Sequence, residues 1–143
     1  IQKLGVAGSG FFFIAIMTGR FLGSVILNWI RAKVFLLITS ILSLLAIGGL
    51  FSGNETLTII SIFIVGLGFA NIFPLIFSIT VDRTPERANE LSGLMVTAIV
   101  GGAILPLIMG FVADSTSVIF GIIVPMLAIV YVLYVALRTM KTV

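Results

Sequence analysis

The stretch "LTIISIFIVGLGFANIFPLIFSITV", residues 57–81, decides the fold. It holds no charged residue from end to end. A helix rises about 1.5 Å per residue, so about 20 mostly apolar residues cross a bilayer core. This run is long enough to do so. It is also too continuous to alternate between a lumen and lipid, as a barrel strand must.

Four further runs of the same kind flank it, at 11–30, 34–51, 91–112 and 118–137. The breaks between the five are short and polar: "RAK", "SGNET", "DRTPERANE" and "ADSTS". Connections of this length join antiparallel neighbours. The whole chain of 143 residues is 60% hydrophobic and 9% charged, with a mean hydropathy of +1.35. Soluble domains carry about a quarter charged residues. The sequence therefore reads as all-α, a polytopic membrane helical bundle of about five transmembrane helices, with the lipid bilayer as its solvent. Residues 1–143 form one membrane domain with no internal boundary.

Several function classes drop out. The chain has no cysteine and no histidine, which removes thiolate metal sites, the commonest catalytic base and the commonest metal ligand. It contains no phosphate loop, catalytic triad or metal constellation. The expectation is a non-enzyme with no cofactor, no metal and no nucleic-acid partner.

Charge placement sets the expected orientation. Arg31 and Lys33 lie in one break, Arg83 and Arg87 in another, and Arg138 and Lys141 at the C-terminus. In a five-span chain these three regions share one side, which the positive-inside rule makes cytoplasmic. Glu55, Asp114 and Lys3 fall on the other side. The N-terminus is then outside and the C-terminus inside. An odd span count starting outside, and a first residue Ile1, point to a piece of a longer protein. "NET" at Asn54 matches a glycosylation pattern, but so short a loop speaks against its use. At the fourth span Thr84 is placed to cap, with Pro85 at the first helical position and Glu86 at the positive dipole end.

The spans differ in character. The second and fifth lack charge within 34–51 and 118–137 and read as peripheral, lipid-facing helices. On the third, Ser61, Gly68, Asn71, Ser78 and Asp82 fall within roughly 100° of arc. Pro74 removes a backbone donor nearby. That stripe suits the wall of a water-filled cavity, against the plainer reading that Asn71 bonds a neighbouring helix. On the fourth, Gly93, Thr97 and Gly101 repeat every four residues, and Gly102, Pro106 and Gly110 make a second row. Such rows let helices approach closely, with bending as the lesser alternative.

On the first span, Arg20, Ser24, Asn28 and Arg31 share a face of roughly 80°, beside the small pair Gly19 and Gly23. Arg20 sits roughly 15 Å from either end of its run. A guanidinium at that depth costs several kcal/mol against lipid, so it must face protein or water. Fixing two helices and serving a ligand are both open roles for it. No carboxylate lies at mid-depth in any span to pair with it.

Three stretches carry a family likeness. "GRFLGS" (19–24), "GFANIFPLIFSI" (68–79) and "SGLMVTAIVGGAILPLIMGFVAD" (92–114) occur in order and at family-like spacing. Together they resemble the C-terminal half of a major facilitator superfamily carrier, in the branch of fucose–galactose–glucose/proton symporters. "TPERANELSG" (84–93) resembles that superfamily's tenth-to-eleventh loop. The resemblance covers nearly the whole chain. It implies that the five spans are helices eight to twelve of a twelve-helix major facilitator fold. It also implies secondary active transport of a small sugar, a hexose or deoxyhexose, across a bacterial inner membrane by alternating access, with a proton as coupling ion. The coupling carboxylates of that family lie in the N-terminal half, which is missing here. Asn71 matches the polar position before the proline of helix ten, which implies a substrate contact. Thr97, Phe69, Phe73 and Ser78 complete the expected sugar site, with Arg20 as the intramembrane charge. Gly19, Gly23, Pro74, Gly93, Gly101, Gly102 and Pro106 are the expected packing or hinge positions. The alternatives are a carrier of a non-sugar solute such as an organic anion, and a non-transporting membrane scaffold subunit.

Overall fold

The computed structural model describes residues 2–141, with side chains described from Gly8 onward. Six helices appear: α1 (Gln2–Ile26), α2 (Ala32–Gly49), α3 (Glu55–Phe69), α4 (Ile72–Arg83), α5 (Ala88–Ser115) and α6 (Val118–Lys141). There is no strand among the described residues. Helices α3 and α4 together make one membrane-length span, so five helices are long and apolar enough to cross a bilayer.

The span at 57–81 is broken in its middle, at Ala70 and Asn71. Pro74 has no N–H, so the carbonyl of Ala70 loses the bond it would accept in a continuous helix. The proline is tolerated because it falls in the first turn of α4. Asn71, with φ −107° and ψ −5°, is the N-cap residue but makes no side-chain cap bond.

Helix α1 also departs from the run of 11–30. It begins at Gln2 and stops at Ile26. The chain then tightens, with the Asn28 N–H bonding Val25 and the Trp29 N–H bonding Ile26. Asn28 and Arg31 therefore leave the helix, and the stripe from Arg20 reaches only Ser24, whose hydroxyl donates to the Phe21 carbonyl at 2.7 Å.

The third span is the hub. Helix α3 packs on α1 and α2, and α4 packs on α2 and α5, while α6 joins α2 to α5. In lipid, helices gain little from excluding water and associate through close packing of small residues. Two seams use this device. A side chain at Gly23 would collide with the Asn71 amide, and one at Gly68 with the Ser43 hydroxyl. The apolar centre lies between α2, α4 and α6, around Leu36, Ile47, Leu75 and Ile129.

The second span is lipid-facing on one side only. Ile38, Ile41, Leu42 and Leu45 are exposed, whereas Phe35, Leu36, Thr39, Ser40, Ser43 and Ile47 are buried against its neighbours. The absence of charge marked an apolar environment and did not distinguish lipid from protein.

The fourth span stands apart from the other four in having no buried part. Helix α5 has no buried residue, and side chains built at Gly93, Gly101, Gly102 and Gly110 would meet nothing. Among the described residues these rows have no partner, because α5 touches its neighbours on a different face. Its entry differs too. Pro85 begins a short 3-10 turn, Pro85–Arg87, and Thr84 makes no side-chain cap bond.

The loop ends are ordinary. Asn54 caps α3, its Oδ1 accepting from the Leu57 N–H at 3.2 Å. That cap accounts for the asparagine in "NET". The basic residues do converge: Arg31 and Lys33 line a groove with Asp82 and Arg83. Arg83 lines a second groove with Arg138 and Lys141. The side chain of Lys3 lies outside the described residues.

Candidate functional site

Among the described residues helices α1 and α5 do not pack on each other, and both border a cleft with α4. The cleft is open and measures about 740 Å³, within the range of small-molecule sites. Its walls are Arg20 from α1, Phe73, Pro74 and Phe77 from α4, and Ala98, Ile99 and Gly102 from α5. Phe73 and Phe77 are one turn apart on one face, with ring centroids at 6.3 Å.

Arg20 is exposed to this cleft. It makes no hydrogen bond or ion pair with another described residue. Measured along α1 it lies about 9 Å before the helix end. Yet its neighbours Gly19 and Gly23 flank Asn71, well inside the span Glu55–Arg83. Arg20 therefore keeps an interior level although its own helix stops early. It shares the cleft lining with the aromatic rings of Phe73 and Phe77, and no carboxylate is among the described lining residues.

The structure gathers Arg20, Phe73, Pro74 and Gly102 into this cleft and leaves four expected sugar contacts outside it. Asn71 is buried, with its Nδ2 donating to the Gly19 carbonyl at 2.7 Å. Its amide joins α1 to the third span and does not line the cleft. Phe69 packs against the apolar centre. Ser78 is exposed and donates to Asp82 at 3.2 Å. Thr97 returns its hydroxyl to the Gly93 carbonyl at 3.0 Å. Pro106 lies within α5, outside the cleft.

Part of the stripe on the third span faces packed helices, while Ser78 and Asp82 stay at the surface. Ser61 and Gly68 are buried, and the Gly68 surface meets α2 at Ser43. Small and hydroxylic residues inside a membrane serve close packing as readily as they serve water. Phe77, Ala98 and Ile99 were missed. Phe77 had a usable signal, because it lies four residues after Phe73 and so shares its face.

Known proteins resemble the chain along its length. A family model described as Major Facilitator Superfamily matches residues 2–142. A glucose/galactose transporter of Brucella abortus is 28% identical over 92% of this chain and 32% of its own length. A Helicobacter pylori protein, named as a candidate glucose/galactose transporter, is 32% identical over 87% of this chain and 32% of its own length. A glucose/mannose transporter of Bacillus subtilis is 27% identical over 99% of this chain and 36% of its own length. The chain thus spans about a third of the length of these relatives. No solved structure matches it significantly. The apolar spans, their helical packing and the full-length family match converge on an integral membrane protein, and the chain belongs to the major facilitator superfamily.

Proposed function

We propose that this chain is the C-terminal part of a carrier that moves a hexose across the bacterial inner membrane by alternating access. The observation that carries the reading is the cleft that Arg20 lines together with Phe73 and Phe77. A sugar offers hydroxyls around its rim and C–H faces above and below. A guanidinium supplies paired donors for neighbouring hydroxyls, and the two rings supply an apolar wall. The names of the relatives support a hexose as the solute. Arg20, Phe73 and Phe77 are the binding residues in this reading.

The cleft is open, and the reading closes it with a preceding half of the carrier. The bare face of α5, with Gly93, Gly101 and Gly102, packs there. That half also supplies the acid that carries a coupling proton, since the described lining holds none. Rocking of the two halves around this level then exposes the sugar to either side. The end bearing Arg31, Arg83 and Arg138 is cytoplasmic, by the positive-inside rule.

The test is uptake of labelled glucose by the full-length protein in a transport-deficient strain. Excess galactose or mannose competes, and Arg20→Leu lowers uptake more than about tenfold, the cost of losing a charged hydrogen-bond donor to a buried ligand. A second reading, transport of an organic anion, draws on Arg20 having no partner among the described residues. Competition by carboxylates but not by neutral sugars selects that reading and overturns the first.

A further inference from the structure

A second groove, of about 340 Å³, lies between the last turns of α4 and α6. Its described lining includes Arg83, Arg138 and Lys141, with Tyr134, and no carboxylate among the described residues. The cations come from two separate helices. Arg83 is the basic residue in the last turn of α4, and Arg138 and Lys141 are those of α6. Each placement alone would complement a helix dipole. Their convergence on one concavity is a further fact that dipoles do not explain.

The groove is held in shape. The Arg83 Nη2 donates to the Thr139 carbonyl at 3.2 Å, fixing α4 against α6. The Arg138 Nε donates to the Tyr134 hydroxyl at 3.0 Å, and its guanidinium carbon lies 5.4 Å from the centre of that ring. Arg138 is thereby kept along the wall.

The groove also continues into an apolar track. Leu127, Tyr131, Tyr134 and Arg138 follow one another at four, three and four residues, which puts them within roughly 60° of arc on α6. Leu127, Tyr131 and Tyr134 are all exposed. A positive pocket at the end of the spans lies at headgroup level, where tyrosines are also favoured. A ligand that fills both parts is anionic at one end and apolar along its length.

We infer that this groove binds the phosphate of an anionic glycerophospholipid, with an acyl chain lying along Leu127 and Tyr131 of α6. The phosphodiester meets Arg83, Arg138 and Lys141. This site is separate from the cleft at Arg20, and its occupancy does not depend on which solute that cleft takes.

The test is native mass spectrometry of the delipidated full-length protein, titrated with phosphatidylglycerol or phosphatidylcholine. Phosphatidylglycerol binds the wild type at least tenfold more tightly. Each basic residue near the surface contributes about fivefold, so Arg138→Gln/Lys141→Gln weakens phosphatidylglycerol about 30-fold and leaves phosphatidylcholine unchanged. Lys141→Gln alone, an exposed substitution, gives about fivefold and guards against misfolding of the double variant. Arg87→Gln, which removes a surface pair with Glu90, leaves both lipids unaffected. Tyr131→Ala weakens the lipid by shortening its track. Equal binding of the two lipids, or full retention of phosphatidylglycerol by the double variant, overturns the proposal. So does soluble glycerol 3-phosphate binding as tightly as the lipid, because the track would then play no part.

Discussion

The Asn71 amide donates to the carbonyl of Gly19, 52 positions earlier in the chain, at 2.7 Å. The contact is possible because neither Gly19 nor Gly23 has a side chain to hold the helices apart. A Cβ at Gly19 would lie 2.8 Å from that of Ala70. The break in the third span is therefore fixed to the first by a polar bond in an otherwise small-residue seam.

This seam predicts coupled effects. Interhelical hydrogen bonds in membranes average about 0.6 kcal/mol and reach about 1.7 kcal/mol, so Asn71→Ala lowers the melting temperature of the full-length protein by a few degrees. Gly23→Ala destabilises it more, since the added methyl meets the amide. The double variant is more stable than the sum of the two, because removing the amide makes room for the methyl. Thermal unfolding of the four proteins in detergent measures the coupling. Strict additivity would contradict the contact.

The cleft predicts a pattern of accessibility. The chain has no cysteine, so single cysteines placed here report only on their own positions. Ala98→Cys and Phe77→Cys react with a membrane-impermeant thiol reagent, and under the proposed function an added hexose slows the reaction. Leu75→Cys, whose position is buried at 1% exposure, reacts at least tenfold more slowly. Equal rates at Phe77 and Leu75 would contradict the faces assigned to α4.

Pro74 predicts opposing changes in stability and transport. A proline within a helix costs about 3 kcal/mol, less in the first turn. Pro74→Ala restores an N–H within reach of the Ala70 carbonyl. The expected result is a rise in stability of about 1 kcal/mol, a part of that cost, with slower uptake of the proposed hexose where the break must flex. Melting temperature and initial uptake rate measure the two separately.

Asn54 predicts an effect on stability alone. Loss of a cap of this kind costs about 0.5–2 kcal/mol. Asn54→Ala therefore lowers the melting temperature, Asn54→Asp restores it, and neither changes the affinity for the transported solute. The Asp variant also removes the glycosylation pattern, so its normal stability would separate the two readings of "NET".

The five spans and the convergence of Arg31, Arg83 and Arg138 were legible because length and charge act through the bilayer, a solvent whose thickness and polarity are fixed. Arg20 facing a cleft was legible for the same reason, since lipid excludes a guanidinium. The remainder of the site was not. Asn71, Ser61 and Gly68 look alike whether they face water or a neighbouring helix, and only tertiary packing separates the two. Gly93 and Gly101 carry the spacing of a seam, but spacing does not say which helix completes it. The early end of α1 depends on the tight turn at 27–30, which a hydropathy run cannot register.

The hydroxyls of α2 carry one further consequence. Thr39 donates to Phe35, Ser40 to Leu36 and Ser43 to Thr39, all within the helix itself. These three groups demand nothing directional from α3 across the seam at Gly68. On its other side the third span is tied to α1 through Asn71, at the break after α3. The two flanks of the third span are thus mechanically unequal: one is riveted, and the other is a bearing along which small sliding breaks none of these bonds.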